Sequence, residues 1–342
     1  MSGGTAALSN GGEAGPRVES IGVSRPRKGA NPPISVSCVN TVYLGTTAFA
    51  AEVLRRLAAS EHRPQLVLTR PDRPKGRGRR VQSPPVAEAA GELGIDVGQP
   101  TSVNSDEARA QIAAARPEAV CICAFGALIR EPLLSTHEML NVHPSLLPRW
   151  RGAAPIERAI EAGDDRTGVS IMRPTAELDA GPVYLERSEP IRRDDDYGAL
   201  AARLAPLGGE LLVEALATRP QPQAQREDGV TYAEKIDRAE RRLDPARPPD
   251  ALARTVRALT PHVGAYVEVG GERLGVRRAE PAPDAPPSAA GELAATDGRL
   301  LFGAAGGALE LLEVQPPGGK PMDAAAYLRG RAHAELQRTP DG

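Results

Sequence analysis

The chain has 342 residues, enough to bury a substantial core and to form two domains. A formal charge of -2 excludes a uniformly basic nucleic-acid binder but allows local basic patches. Three cysteines make no disulfide framework, and no apolar run reaches the roughly 18 residues of a membrane span, so reduced thiols, no membrane contact and a cytoplasmic location are expected.

Residues 1–38 are rich in Gly, Ser, Pro and Arg, show no hydrophobic period and lack the apolar core of a signal peptide; they read as a disordered extension. From Thr41 onward short apolar strands (41–44, 65–69, 119–124 and 139–143) alternate with helical stretches (48–59, 86–93 and 106–115), and another helix covers about 154–162. This alternation predicts an α/β fold with a doubly wound, mostly parallel, Rossmann-like sheet. Strands near 168–173 and 183–186 and a helix over 198–217 complete a catalytic domain at 39–218. The Pro- and Gln-rich run from Arg219 opens a linker, 219–242. Residues 243–332 predict a helix at 249–259, short strands around 265–278 and 300–314, and a last helix near 324–331. That pattern describes a small β-rich, OB-like barrel followed by a tail, 333–342.

The first strand ends Leu44-Gly45-Thr46-Thr47, with a single glycine. The three-glycine dinucleotide fingerprint is absent, so a nicotinamide cofactor is not expected. A doubly wound sheet nevertheless places its ligand crevice at the carboxyl ends of the strands. Asn141 and His143 stand at such an end, two residues apart and therefore on one face. An amide beside an imidazole can polarise a carbonyl and hold the oxyanion that forms when a nucleophile attacks it. Asp179, in Glu177-Leu178-Asp179-Ala180-Gly181-Pro182, completes a set able to move a proton. Singly, each has a commonplace alternative: a structural histidine, a turn-forming asparagine, an aspartate bracing a turn. The ordered string Asn141-x-His143, the 145–148 loop, Arg151-Gly152-x-Ala154-Pro155-Ile156 and Leu178-Asp179-x-Gly181 favours catalysis. No serine or cysteine stands beside an activating base, so a covalent intermediate is not needed. His62, His137, His262 and His333 lie in no ligand-like spacing, and no metal is expected. Six cations and one carboxylate crowd into residues 70–80, broken by Pro and Gly. Such a run is either a solvated loop or, beside a crevice, a grip for phosphates.

The run 141–156 resembles the signature of the folate-dependent formyltransferases. The likeness extends to Gly45-Thr46, to residues 70–80 and 83–86, to Thr231-Tyr232-Ala233-Glu234-Lys235-Ile236, and to segments 257–261, 264–266 and 311–316, so that it covers roughly residues 40 to 332. It implies 10-formyltetrahydrofolate as formyl donor, initiator methionyl-tRNA as acceptor, and Asn141, His143 and Asp179 as the catalytic set. It implies a folate site lined by Phe125, Gly126, Leu128, Ser145, Leu146, Leu147 and Pro148. It also implies that the basic loop enters the acceptor end of the tRNA, with Arg77 as central contact and Arg73, Lys75, Arg79 and Arg80 adding charge. Arg254, Arg257, Arg277 and Arg278 are candidates for a second tRNA surface, and a monomer is expected. Glu177 departs from the family's usual glycine in the turn that presents Asp179, and Asp196-Tyr197-Gly198 departs from its usual pattern as well. Three other readings fit less well. A formyltetrahydrofolate deformylase should carry an amino-terminal regulatory domain and no tRNA-binding barrel. A sugar-nucleotide formyltransferase has little reason for an Arg-rich loop, and a non-catalytic RNA-binding module has none for Asn141, His143 and Asp179 together.

Overall fold

The computed structural model describes Met1, Gly3, Gly4 and residues 38–75, 80–286 and 288–330. Most of the amino-terminal extension, the tail from residue 331, and Arg77 and Arg79 of the basic loop lie outside the described residues.

Strand β1 (Thr41–Gly45) is buried along its whole length, which places it in the middle of a sheet. It pairs in parallel with β2 (Pro64–Leu68) on one side and, after intervening elements, with β6 (Ala119–Cys123) on the other. Between them run α1 (Ala48–Ala58), a hairpin of β3 (Arg73–Lys75) and β4 (Arg80–Gln82), α2 (Pro85–Leu93), β5 (Asp96–Gly98) and α3 (Asp106–Ala115). After β6 come the short α4 (Leu133–Thr136), β7 (Met139–His143), β8 (Arg151–Gly152), α5 (Pro155–Ala162), β9 (Arg166–Met172), β10 (Val183–Pro190) and α6 (Tyr197–Thr218). The seven-stranded sheet has the order β10-β9-β7-β6-β1-β2-β5; its five strands from β7 to β5 are parallel, and β9 and β10 are antiparallel additions at one edge.

Local chemistry explains the helix boundaries. The side chain of Thr47 accepts from Ala50 N–H at the start of α1, Ser105 does so from Ala108 N–H at α3, and Asp196 from Ala199 N–H at α6. Helices α2 and α5 begin on a proline and stop at left-handed Gly94 and Gly163. One face of the sheet packs Tyr43, Cys121, Cys123, Val142 and Val169 against α1 and α6, whose Val53, Leu54, Leu57, Leu204 and Leu211 are buried. The other face packs Val42, Leu44, Ile122 and Met139 against Ile112 of α3. Each such leucine or isoleucine contributes about 1.5–3 kcal/mol by leaving water. Burial pushes the thiols of Cys121 and Cys123 up to about 12, and neither is joined in a disulfide.

After α6 the connecting segment carries β11 (Tyr232–Ala233), and then come α7 (Pro249–Leu259), β12 (Ala265–Val269), β13 (Glu272–Pro281), β14 (Leu293–Thr296), β15 (Arg299–Ala304), β16 (Gly307–Gln315), β17 (Met322–Asp323) and α8 (Ala324–Gly330). These strands form an antiparallel sheet in the order β12-β13-β16-β15-β14, with β17 on β16. Its buried face, Val267, Leu274, Val276, Leu300, Phe302, Leu309 and Leu311, closes over Leu252, Val256 and Leu259 of α7. No helix among the described residues is long and apolar enough to cross a membrane.

The basic segment differs from expectation. Its composition reads as an unanchored loop, yet its base is a two-stranded hairpin with register Arg73↔Gln82, Pro74↔Val81 and Lys75↔Arg80. Below the hairpin Asp72 accepts hydrogen bonds from Ser83 Oγ (3.2 Å) and Gln99 Nε2 (2.6 Å), which ties it to the α/β body.

Candidate active site

Strand β7 delivers Asn141 and His143 to the carboxyl edge of the sheet, and β9 runs opposite with Met172 beside Asn141 and Ser170 beside His143. Asn141 is half-buried, and its Nδ2 makes a long contact of 3.6 Å to Met172 Sδ. A thioether is a weak acceptor, so the amide is available to a better one.

His143 is 4 % exposed. Its Nε2 lies 2.8 Å from the Trp150 carbonyl oxygen, which can only accept, so Nε2 carries the hydrogen and donates. In the neutral ring Nδ1 then holds the lone pair. That nitrogen lies 3.6 Å from Asp179 Oδ2, a distance of charge pairing rather than of a formed hydrogen bond. A proton arriving at Nδ1 would meet a carboxylate, with the other side of the ring already held by a carbonyl.

Two backbone devices aim these groups. Asp179 sits at φ 46°, a left-handed conformation that costs a non-glycine residue about 1–2 kcal/mol, least for Asn and Asp. Its Oδ2 is fixed by Gly152 N–H at 2.9 Å. Gly152 (φ 126°) and Gly181 both permit close approaches: a Cβ on the first would stand 2.6 Å from Ala233 O, and on the second 1.8 Å from Arg173 O. Glu177, the unusual residue of this turn, is an exposed side chain 3.7 Å from Arg151 Nη1, so its charge faces a guanidinium.

The loop that follows His143 is shaped from inside. Ser170, fully buried, donates to Ser145 O at 2.8 Å and accepts from Leu147 N–H at 3.2 Å. Ser145 is itself fully buried and donates to Arg149 O at 2.6 Å, so its hydroxyl fixes the loop instead of facing the crevice. Leu147 is buried, whereas Leu146 and Pro148 are partly exposed. Trp150 is anchored through Nε1 to Asp164 Oδ2 (2.8 Å), which also takes Arg149 Nε at 2.8 Å. Across the strand ends, Phe125 is buried in the core, while Gly126 and Leu128 are exposed, Leu128 at 55 %. Thr46 Oγ1 donates to Phe125 O (2.9 Å), and Arg70 donates to Gly126 O, so the first turn and the base of the basic hairpin both hold this second wall.

Comparison with known proteins fits this geometry. Residues 39–216 match the family described as "Formyl transferase", and residues 235–332 match "Formyl transferase, C-terminal domain". The methionyl-tRNA formyltransferase of Ruegeria pomeroyi is 43 % identical over 296 residues, which is 85 % of this chain and 97 % of that protein. That of Methylococcus capsulatus is 44 % identical over 302 residues, 86 % and 97 % of the two chains. The chain belongs to the methionyl-tRNA formyltransferase family. The fold agrees with a solved methionyl-tRNA formyltransferase from Clostridium thermocellum, at TM-score 0.52 and 15 % identity, covering 72 % of this chain and 95 % of that one.

Within the family's amino-terminal unit the structure brings Asn141, His143 and Asp179 to one place. Of the basic residues, Arg73 is exposed on the hairpin, and Lys75 and Arg80 occupy its last described pair. Three carboxyl-terminal arginines are partly buried and donate to backbone carbonyls of the protein itself. Arg254 Nε donates to Glu161 O (3.0 Å), Arg257 Nη1 to Asp195 O (3.0 Å), and Arg277 Nη1 to Pro261 O (3.0 Å). The first two stitch α7 to the α/β unit because α7 packs directly on α5, a proximity no sequence period reveals. Arg278 is exposed. Sequence reasoning missed the Trp150 carbonyl, the Gly152 amide and Ser170. The first two are backbone groups, invisible to a reading of side chains, and Ser170 gave no signal inside an apolar strand.

Proposed function

We infer that this chain transfers the formyl group of 10-formyltetrahydrofolate to the α-amine of methionyl-initiator tRNA, acting as a cytoplasmic monomer. The observation that carries the reading is the placement of His143 Nδ1 opposite Asp179 Oδ2, 3.6 Å apart, with Asn141 on the same strand face. Attack of the neutral amine on the formyl carbon forms a C–N bond and a tetrahedral oxyanion, which the Asn141 amide holds. The amine proton passes to the His143–Asp179 pair. His143 Nδ1 delivers a proton to the folate nitrogen as its bond to the formyl carbon breaks. In sum one proton moves from amine to folate nitrogen, and the pair is restored.

We assign donor binding to Phe125, Gly126, Leu128, Ser145, Leu146, Leu147 and Pro148; exposed Gly126 and Leu128 make contact, and buried Phe125, Ser145 and Leu147 hold the shape. Arg73, Lys75, Arg77, Arg79 and Arg80 receive the acceptor stem through its phosphates. Residues 39–218 act as the catalytic domain, 219–242 as the linker and 243–332 as the tRNA-binding domain. The test is an acceptor panel: the protein is incubated with 10-formyltetrahydrofolate and either methionyl-initiator tRNA, an amino-sugar nucleotide or water. Formyl-methionyl-tRNA is the expected product. Formylated sugar or free formate as the main product overturns the assignment.

A further inference from the structure

The segment between the two domains does more than connect them. At Gln223 it pairs with Val183, each donating its N–H to the other's carbonyl at 2.8 Å. At Thr231 its hydroxyl accepts from Trp150 N–H (2.9 Å), the residue whose carbonyl holds His143. At β11 it adds in parallel to β8, with Tyr232 opposite Arg151 and Ala233 opposite Gly152. Between these anchors lies Gln225, partly buried. Its Nε2 donates to Asp179 O and to Gly181 O, each at 2.7 Å. Its Oε1 accepts from Arg151 Nε (3.0 Å) and Nη2 (2.9 Å). Both amide hydrogens and both lone pairs of the oxygen are thereby used. Arg151 is itself 8 % exposed, so the far end of this chain of bonds is packed inside the protein.

The two carbonyls that Gln225 holds flank Ala180 and belong to the turn in which Asp179 adopts its left-handed backbone. Only an amide satisfies this position. It needs two donors toward the carbonyls and an acceptor toward the guanidinium, which neither a carboxylate nor a hydroxyl provides. We propose that Gln225 is a positioning residue for the transfer reaction: from the linker it fixes the 179–181 turn, and with it the Asp179 carboxylate opposite His143. This rests on the catalytic role inferred above for Asp179.

The experiment uses the full chain, with Gln225→Ala, Gln225→Met and Gln225→Glu. Methionine keeps the volume without the polar atoms; glutamate keeps the acceptor but turns an oxygen toward two carbonyls. All three should lower kcat for formyl transfer about 10- to 100-fold, the loss typical of a misplaced group about 1 Å off its aim. KM for donor and for tRNA should stay within about threefold of wild type. In an Asp179→Ala background, Gln225→Met should cost less than about twofold more, because the group it aims is gone. Independent of any activity, hydrogen exchange should rise over residues 177–183 and at Gly152 N–H, which Asp179 accepts. Full multiplication of the two losses, a change confined to KM, or unchanged exchange in that segment overturns the proposal. A wild-type protein that transfers no formyl group while the Gln225 variants still loosen the turn instead refutes the catalytic reading and leaves the positioning intact.

Discussion

Replacing Asp179 by Asn tests the charge opposite His143 with little change of shape. The Asn oxygen can still accept from Gly152 N–H, which Asp179 holds at 2.9 Å, so the turn should survive. What disappears is a negative charge 3.6 Å from Nδ1. At an effective dielectric near 20, unit charges at that separation attract by about 4–5 kcal/mol. Asp179 keeps 17 % of its side chain exposed, and solvent screening on that side leaves about 2–4 kcal/mol. At about 1.4 kcal/mol per factor of ten, kcat should fall about 30- to 1000-fold. Single-turnover transfer from 10-formyltetrahydrofolate to methionyl-initiator tRNA, with KM values and a thermal melt alongside, reads this directly. A folded Asp179→Asn protein within about threefold of wild-type kcat would refute the charge-pairing argument.

Asn141→Ala should lower kcat about 100- to 1000-fold through loss of the oxyanion donor, with folding unchanged by circular dichroism. Gly181→Ala forces a Cβ to 1.8 Å from Arg173 O; thermal denaturation should show a loss of about 1–3 kcal/mol together with reduced turnover. Arg77→Ala should raise the KM for tRNA without altering donor binding, and should reduce the logarithmic salt slope of tRNA affinity by roughly 0.7 to 0.9. Buried His62 accepts Val39 N–H at Nδ1, and burial holds its pKa below the ordinary histidine value. The unfolded chain therefore binds a proton that the folded ring refuses: stability should be full above about pH 6.5 and fall as pH drops through that value toward the folded pKa. His62→Asn should flatten that slope in melts from pH 7.5 to 5.5, leaving the part due to His137, whose pKa burial also lowers.

Strands β1, β6 and β7 and helix α3 are readable from the sequence because each carries a strong local signal. Strands β1 and β6 are short runs buried along their whole length, β7 opens on the apolar pair Met139-Leu140, and Ser105 caps the helix. Asn141 and His143 are readable for the same local reason, the period of two in a strand. What escapes is long-range or backbone. The pairing of β11 with β8 brings Thr231 to Trp150 across 81 positions, and neither strand exceeds two residues, so no periodicity announces it. The hairpin at residues 73–82 is hidden by its composition: Arg, Pro and Gly suggest a loop, and its strands exist through register and the Asp72 bonds below them. Arg254 and Arg257 read in the sequence as surface charge alone, and in the structure each also donates to a carbonyl of the α/β unit. Their carbonyl partners at Glu161 and Asp195 carry no side-chain signature.

In the proposed reaction one formyl group passes through the Asn141–His143–Asp179 site to the methionyl amine. Its most direct test follows a donor labelled in the formyl carbon through a single turnover with methionyl-initiator tRNA, comparing wild type with His143→Ala. Label is expected in formyl-methionyl-tRNA for wild type, with a rate lower by about two to four orders of magnitude for a folded His143→Ala protein that still binds both substrates. Label transferred equally fast by His143→Ala, or released as formate by wild type, would contradict the proposed reaction.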